Sequence, residues 1–271
     1  MKLVSFNVNS VRLRLHQIEA IINTYQPEVI GLQETKVVDD DFPVDALQNM
    51  GYQCAFAGQK THYGVALMSK QKMTDVHVGF PDDDAESQKR LITATVESPK
   101  GESITVINGY FPQGEKRDHP VKFPAKQKFY SDLYKKLQSD HDPAAHLVVL
   151  GDFNVAPVDE DLGIGADNVK RWLRSGATSF LPEEREWFQK LSEWGLDDSY
   201  RIKYPNKDDK FSWFDYRSKG FDRDPKRGLR IDHLLCTRTM TPLLLDSGID
   251  YDIRAMEKPS DHCPVWSEFN I

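Results

Sequence analysis

In Leu147-Val148-Val149-Leu150-Gly151-Asp152-Phe153-Asn154, four apolar residues in a row run into a glycine, a carboxylate and a carboxamide. Such a run fits a strand buried on both faces. Asp152 and Asn154, two apart, share one face of an extended chain. The arrangement recurs outward in both directions. Leu3-Val4-Ser5-Phe6 leads to Asn7, and Val29-Ile30-Gly31-Leu32-Gln33 leads to Glu34. Leu229-Arg230-Ile231-Asp232 sets a carboxylate at the start of Leu234-Leu235, and Pro259-Ser260-Asp261-His262-Cys263-Pro264 precedes Val265-Trp266. Carboxylates, carboxamides and an imidazole gathered at strand ends point to hydrolysis of phosphate esters assisted by a divalent cation.

Around these segments, strands mix with helices. Leu15, Ile18, Ile21, Ile22 and Tyr25 recur at helical spacing. They predict a helix with Ser10 as its N-cap, ended by Pro27. Strands are expected over Tyr63–Met68, Leu91–Val96 and Ser103–Asn108, the last two joined by a turn at Ser98-Pro99-Lys100-Gly101. Phe129, Leu133 and Leu137 predict a helix over Ala125–Ser139, and a second helical stretch includes Pro182–Trp194. The last third returns to strands at Ile231–Cys236, Gly248–Arg254 and Val265–Phe269. Both halves therefore suit sheets packed face to face with helices outside. No linker or repeat divides them, so residues 1–271 are expected to form one domain.

Composition narrows the class. A chain of 271 residues, 39% hydrophobic and 11% aromatic, has the means to bury a sizeable core. No apolar run approaches the roughly 20 residues of a bilayer span, so no membrane partner is expected. Strand-like sequence from Leu3 suggests that no leader peptide precedes it. Cys54, Cys236 and Cys263 are odd in number and widely spaced, which fits neither a disulfide framework nor a zinc site. A cytoplasmic location is the expectation. The net charge of −7 argues against coating nucleic acid by bulk electrostatics. Basic residues nonetheless cluster at Arg217, Lys219, Arg223, Lys226, Arg227 and Arg230, at Lys116-Arg117, at Lys122, Lys126 and Lys128, and at Lys170, Arg171 and Arg174. Read as loops that also hold aromatics, they suit a track for a phosphate backbone.

Glu34, Asp152, Asp232 and Asp261 cannot all ionise close together without compensation. A hard cation with oxygen ligands supplies it, and Mg²⁺ suits one or two carboxylates plus phosphate oxygens. If Asp232 accepts a ring N–H of His262, the imidazole is oriented and stays cationic, stabilising phosphate charge rather than binding metal. The ordered set carries the weight: Asn7, Glu34, Asn108-Gly109-Tyr110-Phe111-Pro112-Gln113-Gly114, Gly151 to Asn154, Arg230-Ile231-Asp232 and Ser260-Asp261-His262.

That set, in that order, resembles the exonuclease III family of DNA-repair nucleases, within the DNase I-like endonuclease, exonuclease and phosphatase superfamily. The resemblance runs from Lys2 to Phe269. Gln33-Glu34-Thr35-Lys36, Phe211-Ser212-Trp213-Phe214-Asp215-Tyr216-Arg217 and Gly228-Leu229-Arg230-Ile231-Asp232 are similar to the bacterial exonuclease III branch. It implies a four-layer α/β sandwich: two packed mixed β-sheets flanked by helices, with the site at one end. Composition and periodicity alone do not select that architecture over other layered α/β folds.

The resemblance also implies roles. Glu34 would be the principal ligand of Mg²⁺, with Mn²⁺ as a substitute, Asn7 nearby, Asp261 an additional candidate, and Asp152, Asn154 and His262 around the ion. Asp152 would orient or deprotonate the attacking water, and Asn154 would hold the water or the scissile phosphate in line. Tyr110 and His262 would contact phosphate oxygens, with Asp232 fixing His262. One metal or two stays open at this stage, as does the choice of Asp152 or His262 as formal base. The implied partner is double-stranded DNA bearing abasic sites, nicks or blocked 3′ ends, acted on by a monomer. Its reactions would be incision 5′ to the abasic site, 3′-to-5′ exonuclease action and cleaning of 3′ ends. Trp213, Phe214 and Leu229 would wall a pocket for the flipped-out baseless sugar, and Arg90, Gln113 and Lys122 would contact the DNA around it.

This chain departs from the family at Cys263, where Ala is common, at Asn9, where some relatives carry Asp, and in the variable loop Phe221 to Arg227. Two other readings compete. An esterase for small or lipid phosphates is opposed by the Trp213-Phe214 segment and the basic Arg217–Arg230 loop. A catalytically silent DNA-binding module has no use for Asn7, Glu34, Tyr110, Asp152, Asn154, Asp232, Asp261 and His262 together.

Overall fold

The computed structural model describes residues 1–271. One sheet contains β1 (Lys2–Asn7), β2 (Val29–Gln33), β3 (Gln53–Ala57), β4 (Val65–Ser69), β11 (Leu244–Ile249) and β12 (Val265–Phe269), in the order β11-β12-β1-β2-β4-β3. The other contains β5 (Thr74–Val78), β6 (Leu91–Glu97), β7 (Ser103–Tyr110), β8 (Leu147–Asp152), β9 (Leu196–Asp198) and β10 (Asp232–Thr237), in the order β5-β6-β7-β8-β10-β9. Each sheet has one parallel pair, β1 with β2 and β7 with β8, among antiparallel neighbours. The architecture is the expected DNase I-like four-layer sandwich.

The unbroken apolar runs have a simple cause. Along β8, Val148 and Leu150 face the other sheet while Leu147 and Val149 face the outer helices. Along β1, Leu3 faces inward while Val4 and Phe6 face α1 (Leu15–Tyr25). The first sheet is covered by Ile18, Ile21 and Ile22 of α1 and Leu47 of α2 (Val44–Asn49). The second is covered by α3 (Lys122–Asp140) and α5 (Pro182–Trp194), through Phe129, Leu133, Leu137, Phe188 and Leu191. With both faces of these central strands dry, alternation disappears. The sheets approach closely at Gly31, where an added Cβ would lie 2.2 Å from Leu150 Cδ1. Beside it, Gln33 Nε2 donates to Asn108 Oδ1 at 2.6 Å and to Ser5 Oγ at 3.0 Å, and Asn108 Nδ2 donates to the Leu32 and Ala66 carbonyls. This buried polar bridge marks the end of the sandwich where the candidate residues lie.

Several expected elements differ. Ser10 makes no side-chain cap; it precedes a short 3₁₀ turn, Val11–Leu13, and α1 starts only at Leu15. The expected strand Gly248–Arg254 is instead the end of β11 followed by α7 (Tyr251–Arg254). Asp250 forces the change, because its Oδ1 accepts the Ile253 amide at 2.7 Å and caps the helix. The basic residues Lys170, Arg171 and Arg174 lie on α4 (Ala166–Ser175) rather than in a loop, and Lys126 of α3 is buried rather than on the surface.

Candidate active site

The strand ends converge as expected. Asp152 closes β8 and pairs in register with Tyr110 at the end of β7 and Asp232 at the start of β10. Asn7 closes β1, and Glu34 leaves β2 in the left-handed region at φ 53°. The Phe211–Phe214 segment bridges to Leu229 and to His262 through isolated β-bridges at Trp213, with Cys263 N–H donating to Ser212 O at 2.7 Å. Ser212 Oγ accepts the amides of Ile231 and Asp232 at 3.0 and 2.9 Å, fixing where β10 begins. A bend in Ser-Asp-His is tied down by Ser260, whose Oγ donates to Asn7 O at 2.6 Å and accepts the His262 amide.

Two carboxylates flank His262. Its Nδ1 lies 3.0 and 2.9 Å from the Asp232 oxygens, and its Nε2 lies 3.8 Å from Asp152 Oδ2. Burial alone would push the imidazole down, but the charges of Asp232 and Asp152 outweigh it and raise His262 to about 10. It is therefore a cation at neutral pH, with Nε2 as a donor. For Asp152, burial is the main cause that raises the carboxyl, with Asp232 and Glu34 adding to it against His262 and the Asn7 amide; the result is about 7. Asn7 Nδ2 donates to Asp152 Oδ2 at 2.9 Å and Glu34 Oε1 at 3.0 Å, while its Oδ1 accepts the Asn9 amide at 3.1 Å. Asn7 thus presents donors, not its oxygen, to the acidic cluster. Burial pushes Glu34 up, but Lys36, whose Nζ is 2.7 Å from Oε2, together with Asn7 and His262 brings it below its usual range. Tyr110 is held far above its ordinary value, first by burial and then by Glu34 and Asp152.

Asn154 also sits in the left-handed region, at φ 53°. Its amide donates to Asp152 Oδ1 at 3.0 Å and its Nδ2 to Phe111 O at 3.0 Å. Asp261 stands at the margin, with both oxygens engaged: Oδ1 accepts from Asn9 Nδ2 at 2.9 Å and Oδ2 from Trp213 Nε1 at 3.0 Å. The donor set fits a hard divalent cation. Four carboxylates (Glu34, Asp152, Asp232, Asp261) face only two cationic groups, Lys36 and His262, and potential ligand atoms of Glu34, Asp152 and His262 lie within 4.8 Å of one another. The carboxylate oxygens of Glu34 and Asp152, with the His262 imidazole beside them, are the atoms that would hold such an ion.

The expected substrate residues divide. Trp213, partly exposed, lines a cavity of about 340 Å³ with Trp172, Arg171, Arg223 and Arg227. Phe214 and Leu229 are fully buried, so Trp213 alone of that apolar trio offers surface; Leu229 packs with it, while Phe214 packs with Phe211 and Cys263. Arg90 is stacked between Tyr63 and Tyr110, 4.4 and 4.5 Å from their ring centroids. Gln113 is exposed but bonded to Thr178 Oγ1 at 3.0 Å, and Lys122, also exposed, is paired with Glu115 at 2.5 Å. Two participants were not singled out from sequence as site residues, Lys36 and Tyr63 as a support for Arg90, while Asn9, noted as a departure from the family, links Lys36 to Asp261. For Lys36 the signal was available, since it lies two residues beyond Glu34 in Gln33-Glu34-Thr35-Lys36.

Comparison with known proteins agrees with this geometry. Residues 4–262 match the Endonuclease/Exonuclease/phosphatase family. The chain is 56% identical over 269 residues to exodeoxyribonuclease III of Haemophilus influenzae, covering 99% of this chain and 100% of that protein. Among solved structures, a 3′ phosphatase from Neisseria bound to a product DNA hairpin superposes with a TM-score of 0.89 at 39% identity, over 100% of both chains. An AP endonuclease from Archaeoglobus fulgidus gives 0.90 at 34% identity, again over 100% of both. On fold, strand-end residues and sequence alike, the chain belongs to the endonuclease/exonuclease/phosphatase family, in its exonuclease III branch.

Proposed function

We propose that this protein is a DNA-repair nuclease that incises the phosphodiester 5′ to abasic sites, removes nucleotides from 3′ ends of duplex DNA and clears blocked 3′ termini. Its relatives carry these activities in their names, the Neisseria protein as a 3′ phosphatase and the Archaeoglobus protein as an AP endonuclease. The observation that carries the reading is the aligned set Asp232–His262–Asp152 beside Glu34, buried and short of positive charge.

Mg²⁺, or Mn²⁺ in its place, would be held by Glu34 and Asp152, with Asn7, Asn154 and Asp261 alongside, and supplies Lewis-acid stabilisation of charge on phosphate oxygens. Asp261 would join through lone pairs that Asn9 and Trp213, one donor to each oxygen, leave free. Asp232 keeps His262 protonated and aimed, so that Nε2–H donates to a phosphate oxygen as charge builds there. Asp152, with its raised basicity, takes a proton from the attacking water. Asn154, pinned to Asp152 and Phe111, orients the water, and Tyr110 donates to a second phosphate oxygen. Trp213 forms the exposed floor of the cavity for a sugar without its base, and Arg171, Arg223 and Arg227 around it suit the flanking phosphates. Arg90, Gln113 and Lys122 would contact the DNA around the lesion. The enzyme acts as a cytoplasmic monomer of one domain; no helix is long and apolar enough to cross a membrane.

The test is cleavage of a labelled duplex with one central abasic analogue, beside an undamaged duplex, with Mg²⁺ and with EDTA. Metal-dependent incision 5′ of the analogue is expected, and Trp213→Ala should reduce it more than it reduces release of a 3′ phosphate. Loss of 3′ nucleotides without incision would keep the catalytic residues and remove the pocket. Equal losses for Trp213→Ala on both substrates would do the same.

A further inference from the structure

Lys126 has no solvent exposure, yet its ammonium stands behind the two segments that carry the reacting groups. Nζ donates to Asn154 O at 2.8 Å, to Gln113 O at 3.3 Å and to Glu184 Oε1 at 2.5 Å. Three acceptors meet three N–H donors, which only a protonated lysine supplies. The other Glu184 oxygen, Oε2, accepts the amides of Ser179 and Leu181 at 2.8 Å each and so closes the turn into α5. One ion pair, buried on both sides, therefore joins the loop after β7, the loop after β8 and the start of α5.

The loop after β8 needs such a tie. Asn154 is a non-glycine residue at φ 53°, a conformation that costs about 1 kcal/mol or more unless neighbours hold it. Its side chain and amide are held by Phe111 O and Asp152 Oδ1, and Lys126 holds the remaining polar group, the carbonyl. A helix–helix staple between α3 and α5 would need Glu184 alone. The two further bonds, both to carbonyls in segments bearing candidate site residues, serve neither helix.

We propose that Lys126, backed by Glu184, is a positioning residue for the reaction: it fixes the backbone of Asn154, and through it the relation of Asn154 to Asp152. This rests on the nuclease reading of that pair given above. Lys126 is buried and reaches the reaction only through the segments it holds, so its loss acts chiefly on turnover.

The experiment compares Lys126→Met, Lys126→Met/Glu184→Gln and Asp152→Asn, each measured for melting temperature and for kcat and KM on an abasic duplex. Lys126→Met leaves a buried glutamate unpaired and should lower the melting temperature. In the double variant that lone charge is gone while the Gln carbonyl still accepts from Ser179 and Leu181, so most of the melting temperature should return. Its kcat should stay down on the order of 10²-fold, the effect of a small misplacement of a reacting group, with KM within a few-fold of the parent. Recovery of kcat together with the melting temperature would reduce Lys126 to a structural ion pair and overturn the inference. So would a loss confined to KM. Parental turnover in Asp152→Asn would remove the underlying reading instead, and the inference with it; a dead Asp152→Asn beside a fully active double variant would remove the inference alone.

Discussion

Adjacent residues on β10 enter two buried ionic clusters that could hardly differ more. Asp232 faces His262, Asp152 and Glu34; His233, on the opposite face, joins Arg230, Arg201, Asp161 and Asp198. In the His233 cluster two guanidiniums meet two carboxylates. Arg230 donates to Asp161 and Asp198, and Arg201 pairs with Asp161. Nδ1 of His233 lies 3.0 Å from Arg230 and 3.5 Å from Asp198 Oδ2, and its Nε2 lies 2.8 Å from Val155 O. Asp198 is driven far below the usual carboxylate range, because Arg230 and His233 outweigh its burial. In the Asp232 cluster, carboxylates outnumber cations and Asp152 is pushed up instead of down. Burial of charge is common to both. Balance marks the scaffold, and an excess of one sign marks the place where a ligand completes the set.

The sharpest way to break the comparison is to neutralise one acid in each cluster. Asp152→Asn should cut kcat by about 10²–10⁴-fold, the usual contribution of a positioned base. The melting temperature of the metal-free protein should rise, because a carboxyl held above its ordinary range favours folding in its neutral form. Calorimetry in EDTA beside single-turnover kinetics checks both halves. A destabilised Asp152→Asn would mean that the site is as balanced as the scaffold.

Asp161→Asn should do the reverse. It strips Arg230 and Arg201 of a shared partner and should cost about 3–5 kcal/mol, the typical effect of breaking a buried pair from one side. Denaturant titration measures it. The folded fraction should keep its kcat, since no Asp161 atom contacts the cluster at Asp152. A loss of turnover without loss of stability would show the two networks to be one.

Much of this division was legible in the residues, for physical reasons. Strand ends announced themselves because strands buried on both faces are unbroken apolar runs, so the first polar side chain after each run stands out, as with Asn7, Glu34 and Asp152. What hid was whatever lacks that contrast. β5 is exposed along its whole length and β9 has three residues, so neither carries a hydrophobic signature. Which charges are paired was also hidden, because Asp161 lies in a turn far along the chain from Asp198, at the end of β9, and from Arg230. Lys126 was misread among surface lysines although Phe129, Tyr130, Leu133 and Leu137 follow it at helical intervals; its position on the buried face was written in that period. The pocket trio was overread, since sequence placed Phe214 and Leu229 beside Trp213 without saying which ring is on top.

A milder contrast tests charge state. His262 is raised above the ordinary histidine range, which links stability to alkaline pH. A group with a raised folded pKa adds stability that is complete below its unfolded value, near 6.5, and is lost as pH climbs through the folded value of about 10. In EDTA, the parent should therefore exceed His262→Gln in stability by most at pH 6 and by progressively less toward pH 10. A constant gap across that range would place a neutral imidazole between Asp232 and Asp152.

The smallest effect concerns Asp261, a site carboxylate that behaves like a scaffold one. Both its oxygens are taken by neutral donors, the Asn9 amide and the Trp213 indole. Trp213→Phe keeps an aromatic floor in the cavity and removes only the N–H held at 3.0 Å. Losing one hydrogen bond to a partly exposed carboxylate should cost about 1 kcal/mol, roughly fivefold in kcat/KM on an abasic duplex, with 3′-phosphate release almost unchanged. Titration with Mn²⁺ then separates two fates for the freed oxygen. If Asp261 stays bonded to Asn9, which in turn accepts from Lys36 at 2.5 Å, metal affinity holds steady and Asp261 belongs to the support of Trp213. If metal affinity rises in Trp213→Phe, the indole has been competing with the ion for Asp261, and the boundary between balanced and unbalanced charge runs through this one side chain.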